Sequence, residues 1–163
     1  MTYGGAGEEL ARFANADSNM AEDCHATSGY AFIIIGGAIS WSAKHQEVVT
    51  LSTTESEYVS TTYAAKEAIW LHLLISQVFK SILPPTTLFS DNKSAIALAK
   101  DHQYHACTKH IDICYHFICW IIEEGKIQLI YCPTEDMIAD VFTKALPLPK
   151  VKHFACELGL AAV

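Results

Sequence analysis

The stretch GGAISWSAKHQEVVTLSTTESEYVS, residues 36–60, carries most of the sequence signal for the fold. Its first part, AISWSAKH at residues 38–45, alternates apolar side chains with polar ones, which is typical of a half-exposed strand. The segment GYAFIIIG at residues 29–36 is rich in β-branched and aromatic side chains and is bounded by glycines, so it predicts a buried strand. The Gly36–Gly37 pair between these two strands predicts a tight hairpin turn.

The second part of this stretch predicts the start of a helix. Ser52 is followed three residues later by Glu55, the spacing of a capping box, and a long helix is expected over residues 54–79. The other predicted elements are strands at residues 10–16, 86–90 and 127–132 and helices at residues 92–100, 108–124, 135–145 and 150–158. Hairpins make the first three strands antiparallel, whereas the later strands need crossovers and run parallel to the first. The sequence therefore predicts an α/β fold, a mixed sheet with helices on its faces.

Length and composition limit the class of protein. The chain has 163 residues, 51% apolar and 18% charged side chains, and a formal net charge of −7. These values fit one domain with a full core and exclude collagen-like, disordered and supercharged chains. The longest apolar runs, such as residues 30–35, are far short of the ~20 residues that a membrane span needs, so we expect no membrane partner and no secretion signal. The tryptophans Trp41, Trp70 and Trp120 are expected in the core.

The chain contains six cysteines and a single arginine, Arg12. The cysteines form no CxxC pair, and disulfide frameworks belong to small secreted chains with weak cores, so neither a zinc ribbon nor a disulfide scaffold is favoured. A Cys/His zinc-binding module remains an alternative. Its candidate ligands are His105, Cys107, His110, Cys114 and His116. The competing interpretation is that the cysteines are ordinary thiols on a helix.

Acidic residues stand at the ends of predicted strands and at the starts of predicted helices. They are Asp17, Glu55, Glu57, Asp91, Asp136 and Asp140. If these carboxylates met at one edge of the sheet, they would repel one another unless a divalent cation neutralised them, and oxygen-only clusters favour Mg²⁺ or Mn²⁺. Two such ions about 4 Å apart are suited to in-line attack on a phosphodiester. The alternative is that each carboxylate is a first-turn helix residue or a solvated side chain.

Seven stretches, collinear over about residues 3–160, closely resemble one family. They are FANAD (13–17), TSGY (27–30), GGAISWSAKHQEVVTLSTTESEY (36–58), AAKEAIWL (64–71), FSDNKSAIALAK (89–100), HACTKHIDICYHFICW (105–120) and YCPTEDMIADVFTKALP (131–147). The family is the ribonuclease H domain that ends the polyprotein of copia-type LTR retrotransposons. The resemblance implies a ribonuclease H-like fold with a five-stranded mixed sheet over residues 9–160. Residues 1–8 are then a tail or a remnant of the junction with an upstream reverse transcriptase.

The resemblance also implies an activity, endonucleolytic hydrolysis of the RNA strand of RNA/DNA hybrids during reverse transcription. Two Mg²⁺ ions are implied, for which Mn²⁺ substitutes. The implied partners are the RNA/DNA hybrid and the reverse transcriptase domain of the same polyprotein, and the implied location is a cytoplasmic virus-like particle. Carried over by motif, the catalytic metal ligands are Glu57, Asp91 and Asp140. Glu55 then caps the long helix, and Asp136 is a first-turn helix residue.

The fourth metal-ligand position departs from the family. The family pattern is aromatic-x-Asp-Ala-Asp, with the metal on the first Asp, whereas this chain has Phe13-Ala14-Asn15-Ala16-Asp17. An amide offers one neutral oxygen and not the negative charge that bridges two cations. We therefore expect catalysis to be impaired by about 10²-fold or more, the cost of removing one such electrostatic contact. Asp17 is a candidate substitute, because residues two apart in a strand share a face.

A hybrid-binding protein is expected to offer cations to phosphates. The resemblance and the helix start at residues 108–112 suggest that four residues contact the phosphates: Lys93, Lys109, His110 and Lys144. The competing interpretation is that these side chains are simply solvated. The net charge of −7 argues against binding by charge alone.

The same resemblance accounts for the odd counts of cysteine and arginine. Family members usually carry Arg at the positions of Cys107, Cys114 and Cys119, and Cys24 stands at a further such position. Arg-to-Cys and Asp-to-Asn changes each take one transition, and both are products of cytosine deamination on one strand or the other. This leads to an alternative function, a catalytically dead nucleic-acid-binding remnant of a decayed retroelement.

Overall fold

The computed structural model describes residues 11–17, 26–50, 52–80, 84–100 and 109–160, with the backbone alone for residues 11–17 and 109–112. The predicted tail at residues 1–8 lies outside these ranges. So do three of the cysteine and histidine positions discussed above, Cys24, His105 and Cys107.

One mixed sheet forms the centre of the described fold. Its strands are β1 (Ala11–Asp17), β2 (Thr27–Ile34), β3 (Gly37–His45), β4 (Thr86–Ser90) and β5 (Ile127–Tyr131). Their order across the sheet is β3-β2-β1-β4-β5. β2 runs antiparallel to both β1 and β3, whereas β4 runs parallel to both β1 and β5. The predicted strand directions are therefore confirmed.

Helices cover both faces of this sheet. They are α1 (Thr53–Phe79), α2 (Lys93–Lys100), α3 (Lys109–Glu123) and α4 (Leu148–Glu157), with two short 3-10 helices at Thr134–Asp136 and Ile138–Phe142. On one face, Tyr58 and Ala65 of α1 and Ile118 of α3 pack with Phe32 and Leu88 of the sheet. On the other face, the second 3-10 helix and α4 cover the end of β2. There Ile138, Phe154 and Leu158 pack against Ala31 and Ile33.

The start of α1 follows the sequence prediction. Ser52 is the N-cap, and its hydroxyl oxygen accepts a hydrogen bond from the backbone N–H of Glu55 at 3.2 Å. The helix is 27 residues long, which corresponds to about 40 Å, whereas β4 has only 5 residues. His72 Nδ1 lies 3.2 Å from Thr86 Oγ1 at the start of β4, so the last two turns of α1 continue beyond that end of the strand.

One predicted helix is wrong. Residues 135–145 form no continuous helix, because Met137 adopts an extended backbone, φ −78° and ψ 95°, and separates the two 3-10 helices. The physical reason is burial, since Met137, Ile138, Ala139 and Asp140 are all buried. Four consecutive residues point to all sides of a regular helix, so an α-helix could not bury every one of them against a single surface.

Two further expectations need correction. The hairpin turn lies one residue earlier than predicted, at Ile35–Gly36, with Ile34 paired to Gly37. The tryptophans are not core residues, because Trp41 is 61%, Trp70 56% and Trp120 49% exposed. None of the described helices is long and apolar enough to cross a membrane.

Candidate functional site

The carboxyl ends of β1 and β4 lie at the same edge of the sheet, because these two strands are parallel neighbours. Phe13 pairs with Phe89 in their ladder. Asn15 lies two residues after Phe13, and Asp91 lies two residues after Phe89, just past the end of β4. The backbones of Asn15 and Asp91 are therefore at about the same level along the strand direction. Asp17 ends β1, as predicted. The side chains of Asn15 and Asp17 lie outside the described part of the chain.

Asp91 sits in the short turn between β4 and α2. The turn is fixed by its neighbours: Asn92 N donates to Ser90 Oγ at 3.3 Å, and Asn92 Oδ1 accepts from Ala95 N at 3.0 Å. Thr134, in the first 3-10 helix, donates its hydroxyl hydrogen to Asp91 Oδ2 at 2.9 Å. The half-buried Asp91 carboxylate is thereby held at the end of the strand.

Asp140 is fully buried in the second 3-10 helix. Its Oδ1 lies 2.9 Å from the ammonium of Lys144, and its Oδ2 lies 3.9 Å from that of Lys150. A buried carboxylate requires such compensation, because removal from water penalises its charge. Lys144, predicted to contact phosphate, is thus also an ion-pair partner of a predicted metal ligand.

Gly29 brings the segment of Asp140 against the sheet. Gly29 pairs with Asn15 in the ladder between β2 and β1. A Cβ atom at Gly29 would lie 2.6 Å from Thr143 Cγ2 and 3.2 Å from the Ala139 carbonyl oxygen, so the two segments are in close contact. The backbone of Asn15 and the segment that carries Asp140 therefore flank the same glycine.

Glu57 is buried in the second turn of α1, with 7% of its surface exposed, whereas Glu55 is half-buried. Gln46 fastens this end of α1 to the sheet. Its Nε2 donates to Ser28 Oγ on β2 and to the Ser56 carbonyl oxygen, both at 2.8 Å. Ser28 pairs with Ala16 of β1, so Glu57 lies on a turn of α1 that is tied to the same end of the sheet as Asp17.

Cys132 is a buried thiol on the acidic side of the sheet. It follows β5 and donates its thiol hydrogen to the Pro133 carbonyl oxygen at 3.6 Å. Burial raises the pKa of the Cys132 thiol to about 11, and the negative charges of Asp136, Asp91 and Asp140 add to the shift. Without a bound cation, the thiol is therefore protonated at neutral pH.

Known proteins resemble this chain in sequence. No protein-family model matches the chain. It is 37% identical over 153 residues to the retrovirus-related Pol polyprotein from transposon TNT 1-94 of Nicotiana tabacum, which covers 92% of this chain. It is 32% identical over 160 residues to that from transposon RE1 of Arabidopsis thaliana, which covers 96% of this chain. The chain spans 11% of the length of each of these relatives.

Solved structures resemble the fold. The structure of LC11-RNase H1 in complex with RNA/DNA hybrid gives a TM-score of 0.59 at 13% identity, over 83% of this chain and 94% of that one. The N-terminal RNase H domain of rv2228c from Mycobacterium tuberculosis gives 0.58 at 12% identity, over 90% and 97%. The chain has the ribonuclease H fold and is homologous to plant retrotransposon Pol polyproteins. The resemblance inferred from the sequence is thus confirmed.

Within this ribonuclease H fold, the donors at the strand ends suit a hard divalent cation. Asp91, Asp140 and Glu57 offer carboxylate oxygens, the ligands that hard divalent cations prefer. Among the residues whose side chains are described, no three His, Cys, Asp or Glu stand close enough together to hold a metal ion. The described cysteines Cys114, Cys119, Cys132 and Cys156 are free thiols. Glu57, Asp91 and Asp140 therefore do not by themselves form a metal site among the described side chains. The same holds for Cys114 and His116, the described part of the zinc alternative.

The predicted nucleic-acid contacts are described only in part. The exposed Lys93 follows Asp91 by two residues, and its ammonium lies 4.4 Å from the centre of the Tyr131 ring. The side chains of Lys109 and His110, in the first turn of α3, lie outside the described atoms. Sequence reasoning did not find the role of Thr134 or the pairing of Lys150, because each acquires its partner through contacts between separate segments.

Proposed function

We propose that this chain is the ribonuclease H domain of a retrotransposon Pol polyprotein and hydrolyses the RNA strand of RNA/DNA hybrids. The observation that carries the proposal is the link from Asp91, which follows β4, through Thr134 and the Lys150 ammonium to Asp140 in a ribonuclease H fold. The proposed partners are the hybrid and the reverse transcriptase domain of the same polyprotein, in a cytoplasmic particle. The homologous Pol polyproteins of plant transposons support this setting.

Glu57, Asp91, Asp140 and the residue at position 15 would hold two Mg²⁺ ions, or Mn²⁺ in their place. Bound Mg²⁺ would supply the positive charge that activates water and stabilises the phosphoryl transition state. Burial of Glu57 and Asp140 fixes their carboxylates before substrate arrives, which lowers the reorganisation that binding requires. Lys93, with Lys109, His110 and Lys144, would contact the phosphates and so orient the hybrid.

Asn15 limits this activity in the proposed mechanism. A carboxylate at position 15 would add a negative charge beside Gly29 and the segment of Asp140, where cations are to be held. We expect Asn15→Asp to raise the rate of hybrid cleavage by about 10²-fold, because one electrostatic contact to the transition state is restored. The measurement is single-turnover cleavage of a labelled hybrid in Mg²⁺ and in Mn²⁺.

Two controls accompany this assay. Asp91→Asn in the Asn15→Asp background should abolish cleavage without changing the melting temperature by much, and Asp17→Asn in the unaltered chain tests whether Asp17 substitutes for the missing ligand. Equal rates for the unaltered chain and Asn15→Asp would refute the role of position 15.

The second candidate function is a catalytically dead nucleic-acid-binding remnant. Asn15 favours it, because a carboxylate is missing at a proposed metal-ligand position. The ion pair that Lys144 makes with Asp140 at 2.9 Å also favours it, because it compensates the charge of another proposed ligand. A gel shift with uncleavable hybrid separates the two functions: binding without cleavage, even in Asn15→Asp, would select the remnant.

A further inference from the structure

Thr134 connects the segment of Asp91 with the segment of Asp140. It contacts Asp91 directly and Asp140 through the side chain of Lys150. Its hydroxyl donates to Asp91 Oδ2 at 2.9 Å. Its carbonyl oxygen accepts a hydrogen bond from the ammonium of Lys150 at 3.2 Å. The same ammonium lies 3.9 Å from Asp140 Oδ2. One residue thus connects the carboxylate that follows β4 with the carboxylate in the second 3-10 helix.

The Lys150 side of this connection is well anchored. The Lys150 ammonium lies 5.2 Å from the centre of the Phe154 ring, and Phe154 is 1% exposed in the apolar cluster under α4. The Lys150 side chain is 30% exposed, whereas that of Asp140 is only 1% exposed. A lysine whose ammonium is already held by Phe154 and Asp140 loses little freedom when it contacts Thr134, so the contact is preorganised.

The Asp91 side depends on a single hydroxyl. Hydrogen bonds from backbone N–H groups to the side chains of Ser90 and Asn92 set the position of the turn. Within the described part of the chain, the Thr134 hydroxyl is the group that fixes the rotation of the Asp91 carboxylate. Thr134 in turn is held by the turn that joins β5 to the 3-10 helix, where Asp136 N donates to the Pro133 carbonyl oxygen at 2.9 Å.

We propose that Thr134 is a positioning residue that orients the Asp91 carboxylate relative to Asp140 for divalent cation binding. The inference rests on the proposed function, because Asp91 and Asp140 are there assigned as metal ligands. Outer hydrogen-bond partners of metal ligands fix ligand orientation, and their loss typically costs about 10–100-fold in metal affinity.

The test is the affinity for Mn²⁺ alone, measured by electron paramagnetic resonance of the free ion, in the unaltered chain and in Asn15→Asp. Thr134→Val keeps the shape of the side chain and removes the hydroxyl, and we expect it to weaken Mn²⁺ binding about 10-fold. Thr134→Ser keeps the hydroxyl and should bind within about 2-fold of the parent. Thr134→Ala supplies the same loss of the hydroxyl if Thr134→Val does not fold.

The matched control is Thr143→Val. Thr143 also lies beside the site, but its hydroxyl donates to the backbone carbonyl of Asp140 at 3.4 Å and to no carboxylate. Thr143→Val should leave Mn²⁺ affinity unchanged. In an Asp91→Asn background, Thr134→Val should cause no further loss of Mn²⁺ affinity.

The outcomes separate this inference from the proposed function. If Asp91→Asn abolishes Mn²⁺ binding while Thr134→Val binds like its parent, the positioning role is overturned and the proposed function stands. Equal losses for Thr134→Val and Thr134→Ser also overturn it, because the hydroxyl is then not the cause. If Asp91→Asn and Asp140→Asn leave Mn²⁺ binding unchanged, the metal site itself is refuted.

Discussion

Gly29 has no side chain at the point where β2 meets the segment that carries Asp140. A Cβ atom there would lie 2.6 Å from Thr143 Cγ2, 3.0 Å from Phe142 Cβ and 3.2 Å from the Ala139 carbonyl oxygen. Two of these neighbours are a Cβ atom and a backbone atom, which cannot rotate away. Any larger residue must therefore push the second 3-10 helix away from the sheet, and Asp140 with it.

We expect Gly29→Ala to lower the free energy of unfolding by about 1–3 kcal/mol, the usual cost of overpacking. Urea denaturation measures it, and Mn²⁺ affinity should fall in the same variant because Asp140 is displaced. Gly37→Ala is the control, since the nearest atom to its Cβ is 3.9 Å away. It should change stability by no more than about 0.5 kcal/mol. Equal destabilisation by the two variants would show that close contact at Gly29 is not the cause.

The β2–β3 hairpin contains a conformation that its sequence disfavours. Ile35 and Gly36 both have positive φ, 53° and 70°, as the two central residues of a type I′ turn require. Glycine adopts this conformation freely, but a β-branched residue does so only with strain. The sequence predicts the turn at Gly36–Gly37. The register of β2 and β3 instead pairs Gly37 with Ile34, so Ile35 and Gly36 form the turn.

Replacing Ile35 with asparagine should relieve this strain. Asn-Gly is the preferred type I′ sequence, and the left-handed conformation costs a β-branched residue about 1–2 kcal/mol, so Ile35→Asn should stabilise the protein by about 1 kcal/mol. Little apolar burial is lost, because Ile35 is 45% exposed. Ile39→Asn is the matched control: Ile39 is 44% exposed on β3, without positive φ, and its loss should not stabilise. Urea titrations of the parent and of both variants measure it, and a destabilised Ile35→Asn would contradict the prediction.

Sequence pattern predicted where most strands and helices lie, but it missed a segment that is buried on all sides. The alternating residues 38–45 form a strand as expected, but the apolar Ile39 and Trp41 are exposed and Ser40 and Ser42 are half-buried. The capped helix that begins after Ser52 also forms as expected. Residues 135–145 are helix-forming by composition, yet the run from Met137 to Asp140 is buried on all sides, and tertiary packing overrides propensity. For the same reason the sequence could place Asp91 at a strand end but could not reveal its bond to Thr134.

One end of the sheet carries acidic side chains, and the opposite end carries exposed apolar side chains. The carboxyl ends of β1 and β4 carry Asp17 and Asp91, whereas the opposite end carries the overhanging turns of α1, where Val78 and Phe79 are 64% and 71% exposed. Chain order and strand direction sufficed to predict that the acids gather at one end. The exposure of the tryptophans could not be predicted, because it depends on which helix faces the other elements leave uncovered.

This polarity predicts that the position of a lysine, and not only its charge, decides its effect on hybrid binding. Lys93 and Lys126 are comparable in exposure and in ring contact, although the Lys126 ammonium also lies 3.7 Å from Glu124 Oε2. Both are exposed, and each ammonium lies over an aromatic ring, at 4.4 Å from the centre of Tyr131 and 4.3 Å from that of Trp120. Lys93 follows Asp91 at the acidic end, whereas Lys126 precedes β5 at the opposite end.

We expect Lys93→Gln to weaken binding of an RNA/DNA hybrid and to reduce the slope of log affinity against log salt by about 1, the value for one lost phosphate contact. Lys126→Gln should change neither quantity, although it alters the net charge by the same amount. Fluorescence anisotropy over a salt series measures both, in Ca²⁺ so that cleavage does not interfere. If the two variants lose affinity equally, hybrid binding follows net charge alone. If only Lys126→Gln weakens binding, the hybrid lies at the end of the sheet opposite to the carboxylates, and the assignment of the site is wrong.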